Sequence, residues 1–370
     1  MKFIVNIARV LVGGLFIFSG LVKAIDPLGL AYKMQEFFEA WANDGILPGM
    51  MHWLNDQALP FSIFMITLEV VLGVALLLGW RTKLVSWLLL LLMLLFTFLT
   101  SYVLFSGKIR ACGCFGDCIP LTPEQTFTKD IVLLVLVLLI LFGRKHIKPF
   151  LSNGANTGIF LASLVGVIGL QWYVLKYLPV KDCLPFKVGN DILELRKMPK
   201  DAVPDKFDYT FIYKKGGESK SFPVTALPDS SWEFVDRKQV LVQKGKNNIP
   251  LINDFILKTE SDNDTTQAIL SQAGAYYLLY VKEVPQKKQA DWVIPFSQLN
   301  KKAVPCFYIT ANPQALHTYL SGFNANDVTI LTCDYTVIKT AARNDAVLYK
   351  MKGPVVQHKW GGSDIRKAIK

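Results

Sequence analysis

The feature that most constrains the fold of this chain is a series of five long apolar stretches. A helix that crosses a bilayer needs about 20 mostly apolar residues. The stretches are Phe3–Ile25, Phe61–Trp80, Leu84–Ser106, Ile131–Gly143 and Gly158–Leu178. The fourth reaches spanning length only if its helix begins near Thr126. We therefore predict five transmembrane helices.

The charged residues are divided unevenly between the two halves of the chain. Hydrophobic residues make up 52% of the 370 residues and charged residues 19%. Residues 1–180 contain 22 charged side chains, whereas residues 181–370 contain 47. This split predicts a membrane domain joined to a soluble domain, and it excludes a disordered, collagenous or small disulfide-stapled protein. The net charge of +11 is spread along the chain without a Lys/Arg run, so we expect no nucleic acid partner.

Two short turns indicate the orientation in the lipid bilayer. Residues 81–83 and 144–148 carry Lys and Arg without an acidic residue, and such turns stay in the cytoplasm. The N-terminus is then cytoplasmic, and everything after residue 178 lies outside. We predict a multi-pass protein of the bacterial inner membrane with a periplasmic C-terminal domain. A cleaved signal peptide at the first stretch is the less favoured alternative, because Arg9 interrupts its apolar run.

Three ionisable residues fall within the first two stretches. Arg9 lies inside the first, Lys23 near its end, and Glu69 in the middle of the second. Such groups are costly in a membrane and often functional. The favoured interpretation is a structural pair between Arg9 and Glu69, and the alternative is a proton- or quinone-related role for Glu69. We expect Lys23 to extend its ammonium group to the interface.

The loop between the third and fourth stretches contains three cysteines within seven residues, Cys112, Cys114 and Cys118. A fourth, Cys183, follows the fifth stretch on the same predicted face. The bacterial periplasm is oxidising, so disulfides are the default state there. These four cysteines are our candidate redox or disulfide residues.

The cysteine cluster allows three interpretations. Two structural disulfides would have three possible pairings, between which the sequence does not choose. Thiol–disulfide exchange is the second, since Lys108 and Arg110 would favour a thiolate. Binding of a soft metal ion is the third. No histidine accompanies the cysteines in the loop, and we predict no metal site.

Several of these residues together resemble the MauE/DoxX group of redox-associated membrane proteins over residues 1–145. The motifs are Arg9, Phe18-Ser19-Gly20, Lys23, Asp26-Pro27, Glu69, Gly73, Gly79, Cys112-Gly-Cys114-Phe-Gly116 and Lys129-Asp130. The resemblance implies a four-helix membrane bundle. It also implies a link to maturation of a disulfide-rich periplasmic enzyme, as in MauE, or to quinone-coupled sulfur oxidation, as in DoxX. The fifth stretch and the long external domain extend beyond the minimal family pattern.

The external half alternates in strand fashion up to about residue 257, with Gly216-Gly217 as a hairpin turn. Beyond it, strands are predicted at 276–281, 306–310, 328–333, 347–352 and 355–359, and helices at 290–302, 313–322 and 363–369. This order is typical of a thioredoxin-like fold.

The expected active-site junction of that fold, residues 283–290, has no cysteine, and the turn Arg343–Ala346 lacks the usual proline. Cys306 and Cys333 are predicted to be buried free thiols, with a mutual disulfide as the alternative.

The predicted architecture has four parts: a MauE/DoxX-like four-helix bundle (1–150), a fifth membrane helix (151–180), a β-rich subdomain (181–257) and a thioredoxin-like domain without CxxC (258–370). One hypothesis is thiol–disulfide exchange at the outer cysteines, with quinone as a possible electron acceptor. The other is a non-enzymatic scaffold with structural disulfides. Both expect the lipid bilayer and another envelope protein as partners.

Overall fold

The computed structural model describes residues 2–109, 113–243, 245–285, 290, 292–300, 304–323 and 328–369. Five helices within these residues are long and apolar enough to cross a membrane, as predicted. The α-helices are α1 (Lys2–Ala24), α2 (Pro27–Asn43), α3 (Pro48–Asp56), α4 (Ala58–Leu78), α5 (Thr82–Ser106), α6 (Pro123–Gly143), α7 (Asn153–Lys176), α8 (Ile192–Leu195), α9 (Thr266–Leu270), α10 (Val293–Asn300), α11 (Pro313–Ser321) and α12 (Tyr335–Ala341). The chain is thus a multi-pass membrane protein with a soluble α/β region.

The fourth spanning helix, α6, reaches its length because it begins earlier than its apolar stretch. Thr122 accepts a hydrogen bond from the Gln125 backbone N–H, and the Gln125 side chain accepts one from the Thr122 N–H. This capping box and the following Pro123 define the start of the helix. The polar first turn therefore belongs to α6.

The helices α1 and α4 form the tightest contact of the bundle. A Cβ atom on Gly13 would lie 2.6 Å from Leu77, and one on Gly73 would lie 2.8 Å from the Gly13 carbonyl oxygen. Small residues let membrane helices approach closely, because no side chain separates the backbones. The helices α5 and α6 pack together beside this pair, and α7 packs on α4. The four-helix core therefore has a fifth helix attached to its side.

The helices α2 and α3 form a hairpin over one end of the bundle. Asp26 caps α2 by accepting a hydrogen bond from the Gly29 backbone N–H. Phe37 and Phe38 are buried, and Trp41 packs on Phe98 and Tyr102 of α5. This hairpin covers the same end of the bundle as the cysteine loop.

The soluble region has two sheets. Its strands are β1 (Lys206–Lys215), β2 (Glu218–Pro223), β3 (Glu233–Gln243), β4 (Ala275–Val281), β5 (Cys306–Thr310), β6 (Thr329–Thr332), β7 (Ala346–Lys352) and β8 (Val355–Gly361). The first sheet is antiparallel in the order β2-β1-β3, and the β1–β2 turn has positive φ at Gly216 and Gly217. The predicted hairpin is therefore confirmed.

The second sheet has the order β6-β5-β4-β7-β8. The strands β4, β5 and β6 are parallel, whereas β7 runs antiparallel to β4 and β8 antiparallel to β7. All five strands were predicted from their apolar patterns. The sequence did not predict α12, and the last segment, Gly362–Ile369, is a 3-10 helix. Phe186 and Ile192, which precede the first sheet, pack into the core of the second.

Candidate functional site

A disulfide joins the cysteine loop to the segment after the fifth spanning helix. Cys118 ends a short 3-10 helix that begins at Gly116, and it is bonded to Cys183 with a Cα–Cα distance of 4.9 Å. The sequence left the pairing of the four outer cysteines open, and the structure shows that Cys118 pairs with Cys183. It also places both segments at one end of the bundle. Cys112 and Arg110, the other candidates from this loop, lie outside the described residues.

Cys114 lies where the loop turns toward the bundle interior. Its backbone carbonyl accepts a hydrogen bond of 3.0 Å from the Ser19 hydroxyl of α1. The neighbouring Phe115 ring packs on Phe18 and lies 5.0 Å from the Lys129 ammonium nitrogen. These contacts hold the loop against α1 and α6, and the Cys114 side chain lines two cavities between the helices.

The buried ion pair of the bundle is Lys23 with Glu69, which corrects two predictions. The ammonium nitrogen of Lys23 lies 2.5 Å from a Glu69 carboxylate oxygen, and their side chains are 5% and 4% exposed. Glu69 therefore does not pair with Arg9, and Lys23 does not extend to the surface. The direction of the Lys23 side chain explains the error, because it turns inward along α1 toward α4 and over the Phe96 ring.

Arg9 has a different and structural role. Its guanidinium donates hydrogen bonds to the backbone carbonyls of Leu76, Leu77 and Lys148. The last carbonyls of a helix have no partner within it. Arg9 therefore caps the end of α4, at the opposite end of the bundle from the cysteines.

The larger of the two cavities has a volume of about 190 Å³ and is lined mainly by apolar side chains. Lys23, Lys33, Glu69 and Cys114 contribute its polar groups. Its aromatic lining consists of Phe37, Phe38, Trp41, Phe61 and Phe96. An apolar cavity of roughly 150 Å³ holds a benzene molecule. This cavity is therefore large enough for one aromatic ring of the size of benzene.

The smaller cavity, of about 20 Å³, lies on the other side of Cys114. Lys129 and Asp130 of α6 line it, and the Lys129 ammonium nitrogen lies 2.7 Å from an Asp130 carboxylate oxygen. Asp130 is fully buried. The sequence marked this dipeptide only as part of a family resemblance. An acid inside an apolar helix is the signal that would have identified it as a candidate site residue.

The comparisons with known proteins agree with this geometry. Residues 1–143 match the family described as Methylamine utilisation protein MauE. We call residues 1–143 the MauE domain after this match. Within this chain, the MauE domain holds Lys23, Glu69, Cys114 and Cys118.

Two further matches were found. Protein TlpB of Flavobacterium psychrophilum is 30% identical over 165 residues, which cover 43% of this chain and 42% of that protein. The match thus spans less than half the length of this relative. Residues 207–244 match a Domain of unknown function (DUF8463). No solved structure matches the chain.

The external domain docks on the MauE domain through Arg343. Its guanidinium donates to Asp26 at 2.8 Å and to Asp117 at 2.9 Å. Burial raises the pKa of Asp26, the Asp117 charge raises it further, and Arg343 opposes both effects.

Asn344 makes a second contact between the two domains. Its side-chain amide donates to the carbonyls of Leu175, Lys176 and Tyr177 at the end of α7. The sequence did not reveal this interface, although it singled out residues 343–346.

A second ion pair of the external domain lies beside the disulfide. The Lys359 ammonium nitrogen is 2.6 Å from the Asp182 carboxylate, one residue before Cys183. Burial lowers the pKa of Lys359, and the Asp182 charge opposes this effect. The segment that carries Cys183 is therefore held between both domains.

Cys306 and Cys333 are buried free thiols, as predicted. Burial raises the pKa of Cys306 to about 11 and that of Cys333 to about 12. The thiolate is the nucleophilic form of cysteine. Both residues therefore pack as small hydrophobic side chains.

No group of at least three His, Cys, Asp or Glu residues that could hold a metal ion is present among the described residues, which include His317 and His358.

Proposed function

We propose that this protein carries out thiol–disulfide exchange at the periplasmic face of the bacterial inner membrane, with Cys112, Cys114, Cys118 and Cys183 as its redox residues. One observation supports this most. The Cys118–Cys183 disulfide lies one short turn from Cys114, and Cys114 lines a cavity that contains a buried ion pair. A disulfide with only a structural role would not require a third cysteine, Cys114, beside it.

The exchange step involves three sulfur atoms. The Cys114 thiolate attacks Cys118, a Cys114–Cys118 bond forms, the Cys118–Cys183 bond breaks, and Cys183 leaves as a thiolate that takes a proton. This rearrangement transfers no net electrons. With a partner protein, the dithiol of the partner is oxidised to a disulfide and a disulfide of this chain is reduced to two thiols. Two electrons and two protons then enter the MauE domain.

We propose an isoprenoid quinone in the bundle interior as the acceptor of these electrons. A bound quinone would supply a two-electron, two-proton oxidant. The aromatic lining of the larger cavity suits an apolar ring, and Lys23 offers a donor at its polar end. Cys114 lines the same cavity. In this proposal Lys23 and Glu69 bind and orient the ring, and Phe37, Phe38 and Trp41 exclude water.

A second function concerns the external domain. A parallel β4–β5 pair with an antiparallel β7–β8 hairpin supports a thioredoxin-like fold for residues 258–370. The turn Arg343–Ala346 before β7 lacks the usual proline, and residues 286–289 of the expected junction lie outside the described residues. Docking by Arg343 favours a scaffold role, in which this domain presents the MauE domain to an envelope partner.

The deciding experiment counts thiols by mass spectrometry in membranes, using a membrane-impermeant alkylating agent before and after reduction. We expect Cys118→Ser to accumulate mixed disulfides with another protein through Cys183 or Cys114. Cys306→Ser is the matched control and should accumulate none. If the outer cysteines remain blocked in cells and Cys118→Ser only lowers stability, exchange is excluded and the scaffold function remains.

Topology has its own test. A reporter that is active only in the periplasm is fused after Gly154 and, separately, after Lys370. We expect activity at Lys370 alone. Activity at Gly154 alone would reverse the orientation and place the disulfide in the cytoplasm.

A further inference from the structure

The smaller cavity behind Cys114 contains a carboxylate that lacks hydrogen bonds. Asp130 is fully buried, and neither of its carboxylate oxygens accepts a hydrogen bond from a described residue. Burying such a group without donors costs free energy, and structures rarely retain one without a reason. Lys129 balances its charge as its ion-pair partner. The oxygens of Asp130 are therefore available to a proton from another group.

We propose that Asp130 is the proton acceptor for Cys114 and that Lys129 stabilises the Cys114 thiolate. The S–H bond of Cys114 breaks, an O–H bond forms on Asp130, and no electrons are transferred. The reverse transfer returns the proton when Cys114 is the leaving group. This inference rests on the proposed exchange function, since it explains how a cysteine beside the membrane interior ionises.

The size of the cavity supports a transfer through water. Its volume of about 20 Å³ exceeds the roughly 10–15 Å³ that one water molecule requires. Ser19, Cys114 and Asp130 line it and offer polar partners for that molecule. A single water molecule in this cavity would connect the thiol to the carboxylate.

Among the described residues, the other charged groups that line the cavities with Cys114 are already paired. The charged side chains that line the two cavities with Cys114 are Lys23 of α1, Lys33 of α2, Glu69 of α4, and Lys129 and Asp130 of α6. Lys23 binds Glu69, and Lys33 binds Glu36 at 2.8 Å. When the proton moves to Asp130, Lys129 loses its anionic neighbour and gains the thiolate. The net charge of the site is unchanged by the transfer, which is what a site of low dielectric constant requires.

The test is the pH dependence of Cys114 alkylation in the reduced full-length protein. The rate for the Cys114 peptide is measured by mass spectrometry with iodoacetamide. We expect Lys129→Met to raise the apparent pKa of Cys114 by about one unit, which lowers the thiolate fraction at neutral pH roughly tenfold. Asp130→Asn removes a negative charge and should lower the apparent pKa. Asp130→Glu should restore the wild-type profile, and Lys352→Gln, an exposed change in the external domain, should not change it.

Opposite shifts from two neighbouring substitutions distinguish this role from a structural one, since loosened packing would move both profiles the same way. If both variants follow the wild-type profile, or shift together, the proposal is wrong. This measurement involves no partner and no quinone, so absence of mixed disulfides would refute the exchange function separately.

Discussion

Arg343 of the external domain donates from Nε to the Asp26 carboxylate at 2.8 Å, and this contact joins two parts of the chain more than 300 residues apart. The same guanidinium reaches Asp117 in the cysteine loop. Only 7% of the Arg343 side chain is exposed. One buried cation therefore neutralises two carboxylates from different loops of the MauE domain and fixes the external domain over the disulfide.

Removing this cation should separate the two domains. In Arg343→Met, Asp26 and Asp117 would face each other without a counter-charge, and breaking a buried ion pair costs about 3–5 kcal/mol. We expect faster hydrogen–deuterium exchange in residues 335–345 and in the loop that contains Asp117. Lys352→Gln, an exposed change in the same domain, is the control. Equal exchange in both variants would mean that Arg343 does not hold the interface.

The Lys23–Glu69 pair should behave as a coupled unit. Lys23→Met leaves a buried carboxylate without its partner, and we expect a loss of about 3–5 kcal/mol in detergent. The double variant Lys23→Met/Glu69→Leu should recover most of this stability, because no charge remains to be desolvated. Thermal unfolding of all four proteins of the double-mutant cycle measures the coupling energy. Additive losses would show that the pair is not coupled.

Removing the proposed quinone site should abolish electron transfer without unfolding the protein. The double variant Lys23→Met/Glu69→Leu should remain folded and yet lose thiol-dependent reduction of a soluble quinone analogue at least tenfold. Arg9→Lys lies at the other end of the bundle and should retain this activity. Full activity in the double variant would place the acceptor elsewhere.

The disulfide should contribute to stability as well as to exchange. Cys118→Ser, Cys183→Ser and the double variant remove the same bond, so each should lose about 2–4 kcal/mol. Only the two single variants retain a thiol that this bond had held. Thermal unfolding should therefore give equal losses for all three, while mixed disulfides through Cys118 or Cys183 should appear in the single variants alone. Unequal losses would indicate that one of these side chains has packing contacts of its own.

The stability of the external domain should fall at alkaline pH. In the folded state the pKa of Cys306 is about 11 and that of Cys333 about 12, compared with an ordinary value of 9.0. Above pH 9 the unfolded chain releases these protons while the folded chain retains them. Stability therefore decreases as pH rises from 9 toward 11, by about 1.4 kcal/mol per pH unit for each thiol.

The measurement for this prediction is pulse proteolysis in urea at several pH values. The double variant Cys306→Ala/Cys333→Ala should show a shallower pH dependence than the wild type. Val356→Ala creates a cavity in the same domain without removing a thiol, and it should lower stability at every pH while keeping the wild-type slope. An unchanged slope in the cysteine variant would show that other groups cause the alkaline loss.

The local patterns of the sequence predicted most secondary structure of this protein. Stretches of about 20 apolar residues have few alternatives to a spanning helix, because backbone groups in lipid must bond within their own segment. Strand patterns of alternating or continuous apolar residues likewise located all five strands of the second sheet. The helix α12 was missed, since its seven residues are too few for a clear helical period.

The sequence by itself determined five apolar helices, a soluble α/β region and a set of cysteines on one predicted face. Only the tertiary structure decided which side chains meet: Lys23 with Glu69 in place of Arg9, Cys118 with Cys183, and Arg343 with Asp26. Spacing along a chain gives the face of a helix on which a residue lies. Pairing depends on how helices rotate and cross, and on which loops the external domain covers, and these follow from packing of the whole molecule.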